Sequence, residues 1–200
     1  MHSSSELTKR QPLGIYMNIR TTTLWTLIIG AAMSRLIPHP PNFTAIGAIA
    51  LFGGSSFKEH RIAYAAPLAA MFLSDLVLGL HGLMAVVYLS ILAITWLGKF
   101  MSIPSPAKVV AASLAGSLIF FLITNFAVWL SAGFYPMNFM GLVECFVAAL
   151  PFLGNTAAGD LTFNVLLFGG YALLLKVSRT LSMQEQLVRG LDARRWAPQQ

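Results

Sequence analysis

Arg35, Asp75 and Asp160 are the residues to which chemistry can be assigned first, because each stands inside or at the edge of a long apolar run. An ionised side chain in hydrocarbon costs roughly 2.5–3.5 kcal/mol or more unless it is paired or faces water, so it marks a ligand site or a buried ion pair. Arg35 can lock helices together by pairing with Asp75 or Asp160, and it can equally offer its guanidinium to a ligand. Neutral polar residues accompany the three: Asn125 late in one apolar run, Asn155 and Thr156 at the start of another, and Asn164 deeper in it. Amides in lipid also join helix to helix, each contributing about 0.6–2 kcal/mol, and this is the role expected of Asn164. The segment Pro38-His39-Pro40-Pro41-Asn42-Phe43 is stiff, because its prolines fix φ and remove N–H donors. With His39, Asn42 and Phe43 it can wall a cavity, or simply separate two helices. Tyr135, with Phe134 and Phe139, suits either an interfacial aromatic belt or a stacking surface for a ligand. His81 can protonate or hydrogen-bond a ligand, although a lone loop histidine usually does neither. The single cysteine, Cys145, excludes an internal disulfide and a CxxC metal site, and a small buried apolar role is expected of it. Gly-x-Ser-x-Gly, His-Glu-x-x-His and nucleotide-binding loops are all missing from the sequence, so no enzyme, metal or cofactor is expected.

The elements that must position these residues are transmembrane helices. The chain is 56% hydrophobic and 10% charged over 200 residues, against roughly 25% charged in soluble domains. Apolar runs extend over Thr22–Ile37, Thr44–Phe57, Ile62–Leu80, Leu83–Met101, Val109–Ala132 and Ala157–Leu175. The expected fold is therefore all-α, a polytopic membrane bundle of about six transmembrane helices. Met140–Phe152 is apolar but short for a span, which predicts a re-entrant or interfacial segment. The first run imitates a signal peptide, yet the five that follow favour an uncleaved helix. Three parts are expected: a cytoplasmic tail over 1–21, the six-helix domain over 22–176, and a cytoplasmic tail over 177–200. That last tail either lies along the inner surface or frays.

The net charge of +6 does not point to nucleic acid, because the basic residues sit at the chain ends and in short hinges between apolar runs. With six spans and the N-terminus inside, Lys and Arg fall on the cytoplasmic side with Arg35 as the exception among 13, as positive-inside topology requires. The lipid bilayer is the first partner this implies. In this frame Arg35, Asp75 and Asp160 all lie in the outer third, with Asp160 about one turn inside the last span.

The run from Arg35 through Pro-His-Pro-Pro-Asn-Phe to Gly54, with Ser74-Asp75-Leu-Val-Leu-Gly-Leu-His81 and Asn125-Phe-Ala-Val-Trp129, resembles a family of small bacterial inner-membrane proteins. In size, six-span layout and outward polar loops, that family looks like the substrate-binding S components of energy-coupling factor (ECF) vitamin transporters. The resemblance implies a bundle whose outer loops enclose a vitamin-like small molecule, cobalamin among the candidates. It also implies an ECF transmembrane subunit and ATPases as partners. The site so implied comprises Arg35, His39, Asn42, Phe43, Asp75, His81, Asn125, Tyr135 and Asp160. A membrane enzyme working at the outer interface and a ligand-free assembly subunit are the rival functions.

This topology predicts that reporters inserted between Lys58 and Arg61, or fused after Gln200, read as cytoplasmic, and one within Pro38–Phe43 as external. An external signal at Gln200 would overturn the six-span reading.

Overall fold

The computed structural model describes residues 13–101, 104–131 and 133–195, with the side chains of 21–186. Lys9 and Arg10 of the N-terminal tail, Ala132 and the segment from Trp196 onward lie outside the described residues. The described residues are helical apart from connecting turns and loops, with no strand among them. The helices are α1 (Leu13–Met33), α2 (Ile46–Ser56), α3 (His60–Leu78), α4 (Met84–Lys99), α5 (Pro106–Ser131), α6 (Phe139–Asn164) and α7 (Gly170–Arg195). A 3-10 turn, Ser34–Leu36, follows α1, and a π-helical turn, Val165–Gly169, carries α6 into α7.

The chain divides into two compact units. One comprises the described residues 13–26 and 171–195; within it α7 passes from exposed apolar residues such as Leu173 and Leu174 to a stretch in which Lys176, Arg179 and Glu185 recur. The other, Leu27–Gly170, contains every residue proposed for the site.

At the centre of the Leu27–Gly170 unit is α2. It packs against α3, α4, α5 and α6, and Ala48 to Gly54 are buried without a break. Close packing there depends on glycine. A Cβ on Gly54 would overlap the carbonyl oxygen of Thr95 in α4, and one on Gly98 of α4 would overlap the carbonyl oxygen of Leu51. Small residues let helix backbones approach where lipid supplies no hydrophobic drive for association.

α5 shows the pattern turned inside out. Val109, Ala112, Ser113, Gly116 and Ser117 face inward. Val110, Leu114, Leu118, Leu122, Phe126 and Leu130, spaced four apart, form an exposed apolar stripe. Large apolar residues outside and small or polar ones inside suit a helix bathed in lipid rather than water. α3, α5 and the helical run Phe139–Gln186 are long and apolar enough to cross a membrane, and the protein is a membrane protein on that ground.

Two sequence expectations change. Thr44–Phe57 becomes an 11-residue helix, about 16 Å long, half of the roughly 30 Å hydrocarbon core. Met140–Phe152 is no re-entrant segment but the first half of α6, which runs unbroken through Pro151. The helix starts so early because Asn138 caps it, its side chain accepting from the Gly141 N–H at 2.9 Å. Asp160 consequently lies 21 residues beyond Phe139, about 31 Å along the helix, and not one turn from its start.

Gly54→Ala and Gly98→Ala should each destabilise by at least about 1–3 kcal/mol through overpacking. Gly154→Ala, with open space around its Cα, should be neutral or stabilising. Thermal unfolding in detergent separates these outcomes, and equal behaviour at all three positions would refute the α2–α4 contact.

Candidate binding site

A cavity of about 220 Å3 lies within the Leu27–Gly170 unit. Arg35 of the 3-10 turn, Asn42 and Thr44 of the proline-rich loop, and Ile46 and Gly47 of α2 line one part of it. Met71, His81, Val87, Ile94, Phe120, Thr156 and Asp160 line the rest, so every helix from α2 to α6 borders it or leads into its lining loop.

Arg35 is held by Nη1, which approaches the Met71 sulfur at 3.0 Å, donates to Ser74 Oγ, and donates to Asp75 Oδ1 at 3.0 Å. Tyr88 of α4 donates to the other carboxylate oxygen of Asp75 at 2.9 Å. Asp75 is buried, and this pairing offsets its desolvation and ties the turn after α1 to α3 and α4. The ion pair open as an alternative in the sequence is thus Arg35–Asp75.

Asp160 has a different environment. Ser117 Oγ of α5 donates to Oδ2 at 2.7 Å, and the carboxylate lies against the backbone of Gly47 in the first turn of α2. α2 begins after Ala45, which provides no side-chain cap. Asp160 therefore stands at the N-terminus of α2 from another helix, placing a carboxylate at the positive end of the dipole. Gly47 is required for this approach, because a Cβ there would overlap the carboxylate. One turn further along α6, Asn164 donates to Ser113 Oγ at 2.7 Å, joining α6 to α5 as expected of it. Its buried Oδ1 has no partner among the described residues.

The proline-rich loop lies against α6. Asn155 donates to the Pro41 carbonyl at 3.0 Å, and Phe43 meets the Phe163 ring with centroids 6.0 Å apart. Asn42 takes φ 64°, a left-handed conformation that Asn tolerates better than most residues. Of the nine residues proposed from sequence, Arg35, Asn42, His81 and Asp160 line the cavity, Asp75 pairs with the lining Arg35, and Phe43 meets Phe163 and is not part of the lining. His39 is exposed and bonds the Ile37 carbonyl. Asn125 donates to the Phe121 carbonyl of its own helix, while its backbone oxygen accepts from Cys145. Tyr135 is half-buried outside the lining.

Thr44, Gly47, Tyr88 and Ser117 were not legible as site residues. A signal for Ser117 exists: Ser113 and Ser117, like Asp160 and Asn164, are four apart and share a helix face. Among the described residues no three His, Cys, Asp or Glu side chains come together as a metal site.

The architecture is that of a helical membrane protein with a cavity of mixed polar and apolar lining inside. The chain belongs to a family of unknown function (DUF6580), whose sequence profile matches residues 16–184. Neither a curated protein nor a solved structure matches it.

Arg35→Ala strands the Asp75 carboxylate and should cost about 3–5 kcal/mol. Tyr88→Phe removes one hydrogen bond to a charged group and should cost about 1.5–3 kcal/mol. Asp75→Asn in the Arg35→Ala background should recover part of the loss in detergent thermal melts, and strict additivity would show that the two side chains do not interact.

Proposed function

We propose that this protein is a membrane-embedded substrate-capture component, similar to an ECF transporter S component, for uptake of a small vitamin-like solute. The observation that supports this reading is the convergence of polar residues from separate stretches on one cavity. Arg35, Asn42, Thr44, His81, Thr156 and Asp160 border it, while Ile46, Met71, Ile94 and Phe120 give it apolar walls. A largely apolar pocket with a few polar groups that fix orientation is the usual form of a small-molecule site.

The direction of uptake follows from charge. Lys58 and Arg61 border the α2–α3 turn, and Lys99 and Lys108 border the α4–α5 connection. Asn42 and His81 occupy the connections at the opposite ends of α2, α3 and α4. Under positive-inside topology the Lys and Arg ends face the cytoplasm of a bacterial inner membrane, and the connections that bring Asn42 and His81 to the cavity face outward. Energy would come from a separate transmembrane subunit and ATPases. At about 220 Å3 the cavity is below the roughly 300–1,000 Å3 of drug-sized sites, which favours a compact solute over cobalamin.

Mass spectrometry of small molecules co-purifying with the protein, followed by thermal-shift titration of each one found, tests the reading. A genuine ligand at one hundred times its dissociation constant should stabilise by about 2.7 kcal/mol. Failure of every co-purifying solute and of a vitamin panel to shift the melt would favour the ligand-free assembly subunit.

A further inference from the structure

The cavity carries an imbalance of charge. Arg35 spends Nη1 on Asp75, and the two formal charges cancel at 3.0 Å. Asp160 lines the same cavity, is 3% exposed, and forms no ion pair among the described residues. Of the remaining titratable groups only His81 reaches the lining.

A place at the N-terminus of α2 does not by itself require a charge at position 160, because Asn or Ser serves at a helix N-terminus about as well as Asp. A carboxylate there meets the positive end of a helix dipole, but no cationic side chain among the described residues pairs with it. Its other neighbour, Ser117, is a neutral donor. We infer that Asp160 is the recognition group for a cation, and that the cavity takes a small organic ammonium compound with an apolar body. The apolar wall of Ile46, Met71 and Ile94 suits alkyl groups on such a cation. Phe120 contributes an aromatic ring, whose π face attracts cations. Arg35 keeps Nε and Nη2 free of partners among the described residues, so an oxygen on the same solute can be received at that side. This inference rests on the solute-capture reading and names its ligand class.

The test uses the full chain in detergent and three probes of one shape: choline, its neutral carbon isostere 3,3-dimethylbutan-1-ol, and the anion 3,3-dimethylbutanoate. Choline should raise the melting temperature by about 2–4 °C at several times its dissociation constant, and the other two should not. Asp160→Asn should abolish the choline shift while the amide keeps its place at the α2 N-terminus. The isostere comparison is made on the unaltered chain, so it holds whether or not that variant folds. Equal or larger shifts from the neutral or anionic probe would overturn the cation assignment and leave solute capture standing. No shift from any probe would overturn the cation assignment, while a shift from a co-purified neutral or anionic solute would keep solute capture alone.

Discussion

A helix of 11 residues packed against four others leaves the groups at its two ends to be met by side chains of its neighbours, and this constraint on α2 organises the Leu27–Gly170 unit. Its first N–H groups and last carbonyls have no intrahelical partners, and leaving such groups bare in a membrane interior costs several kcal/mol each. The answer at the N-terminus is the Asp160 carboxylate, brought in by α6 and received over Gly47. At the other end Lys99 of α4 donates to the Phe57 carbonyl at 2.6 Å, just past the last turn. An anion stands at the positive end and a cation at the negative end, so the dipole is matched twice. Each partner lies on a different helix, and α2 thereby fixes the relative positions of α4 and α6.

The cavity follows from the same arrangement. Because α2 is only about 16 Å long, it occupies part of the unit's depth, and the space beyond its N-terminus is left to a loop rather than a helix. Backbone without regular hydrogen bonding is tolerated at membrane depth only where it is buried in protein or borders a cavity. In the proline-rich loop Pro38–Asn42 are exposed, Asn42 and Thr44 border the cavity, and the Pro40, Asn42 and Pro41 carbonyls accept from Phe43 N–H, Thr44 N–H and the Asn155 amide. Its prolines bring no N–H groups that would need partners. Gly159 of α6 allows the loop close, since a Cβ there would lie 3.0 Å from the Thr44 nitrogen.

Two acidic residues of similar sequence character end in different roles. Asp75 is joined to a guanidinium and a phenol, and the buried cluster ties the turn after α1, α3 and α4 together. Asp160 is joined to a neutral hydroxyl, lies against the backbone of Gly47, and reaches the cavity. The first arrangement is closed electrostatically and the second is not. That difference makes Asp160 the informative residue in the lining.

The sequence by itself determined the class of the protein and most of its elements. Long apolar runs separated by basic hinges point to helices in a membrane, because hydrocarbon demands satisfied backbone, and five of the six runs coincide closely with helices over their middles, three of the helical stretches being long and apolar enough to cross. It also singled out Arg35 and Asp160 from their isolation in apolar runs, and Asn42 and His81 from their places in the connections between runs, signals that need no partner to be seen. What it did not contain was depth and pairing. Hydropathy is blind to whether Pro151 breaks a helix, so Met140–Phe152 and the start of the next run read as two pieces although they form one. That difference moves Asp160 by about five turns along its helix. The choice of Asp75 over Asp160 as the partner of Arg35, the place of Asp160 at the N-terminus of α2, and the role of Gly47 depend on contacts between residues 40 to 113 positions apart. Local spacing carries no information on such contacts, and only the packing of α2 against α4, α5 and α6 decided them.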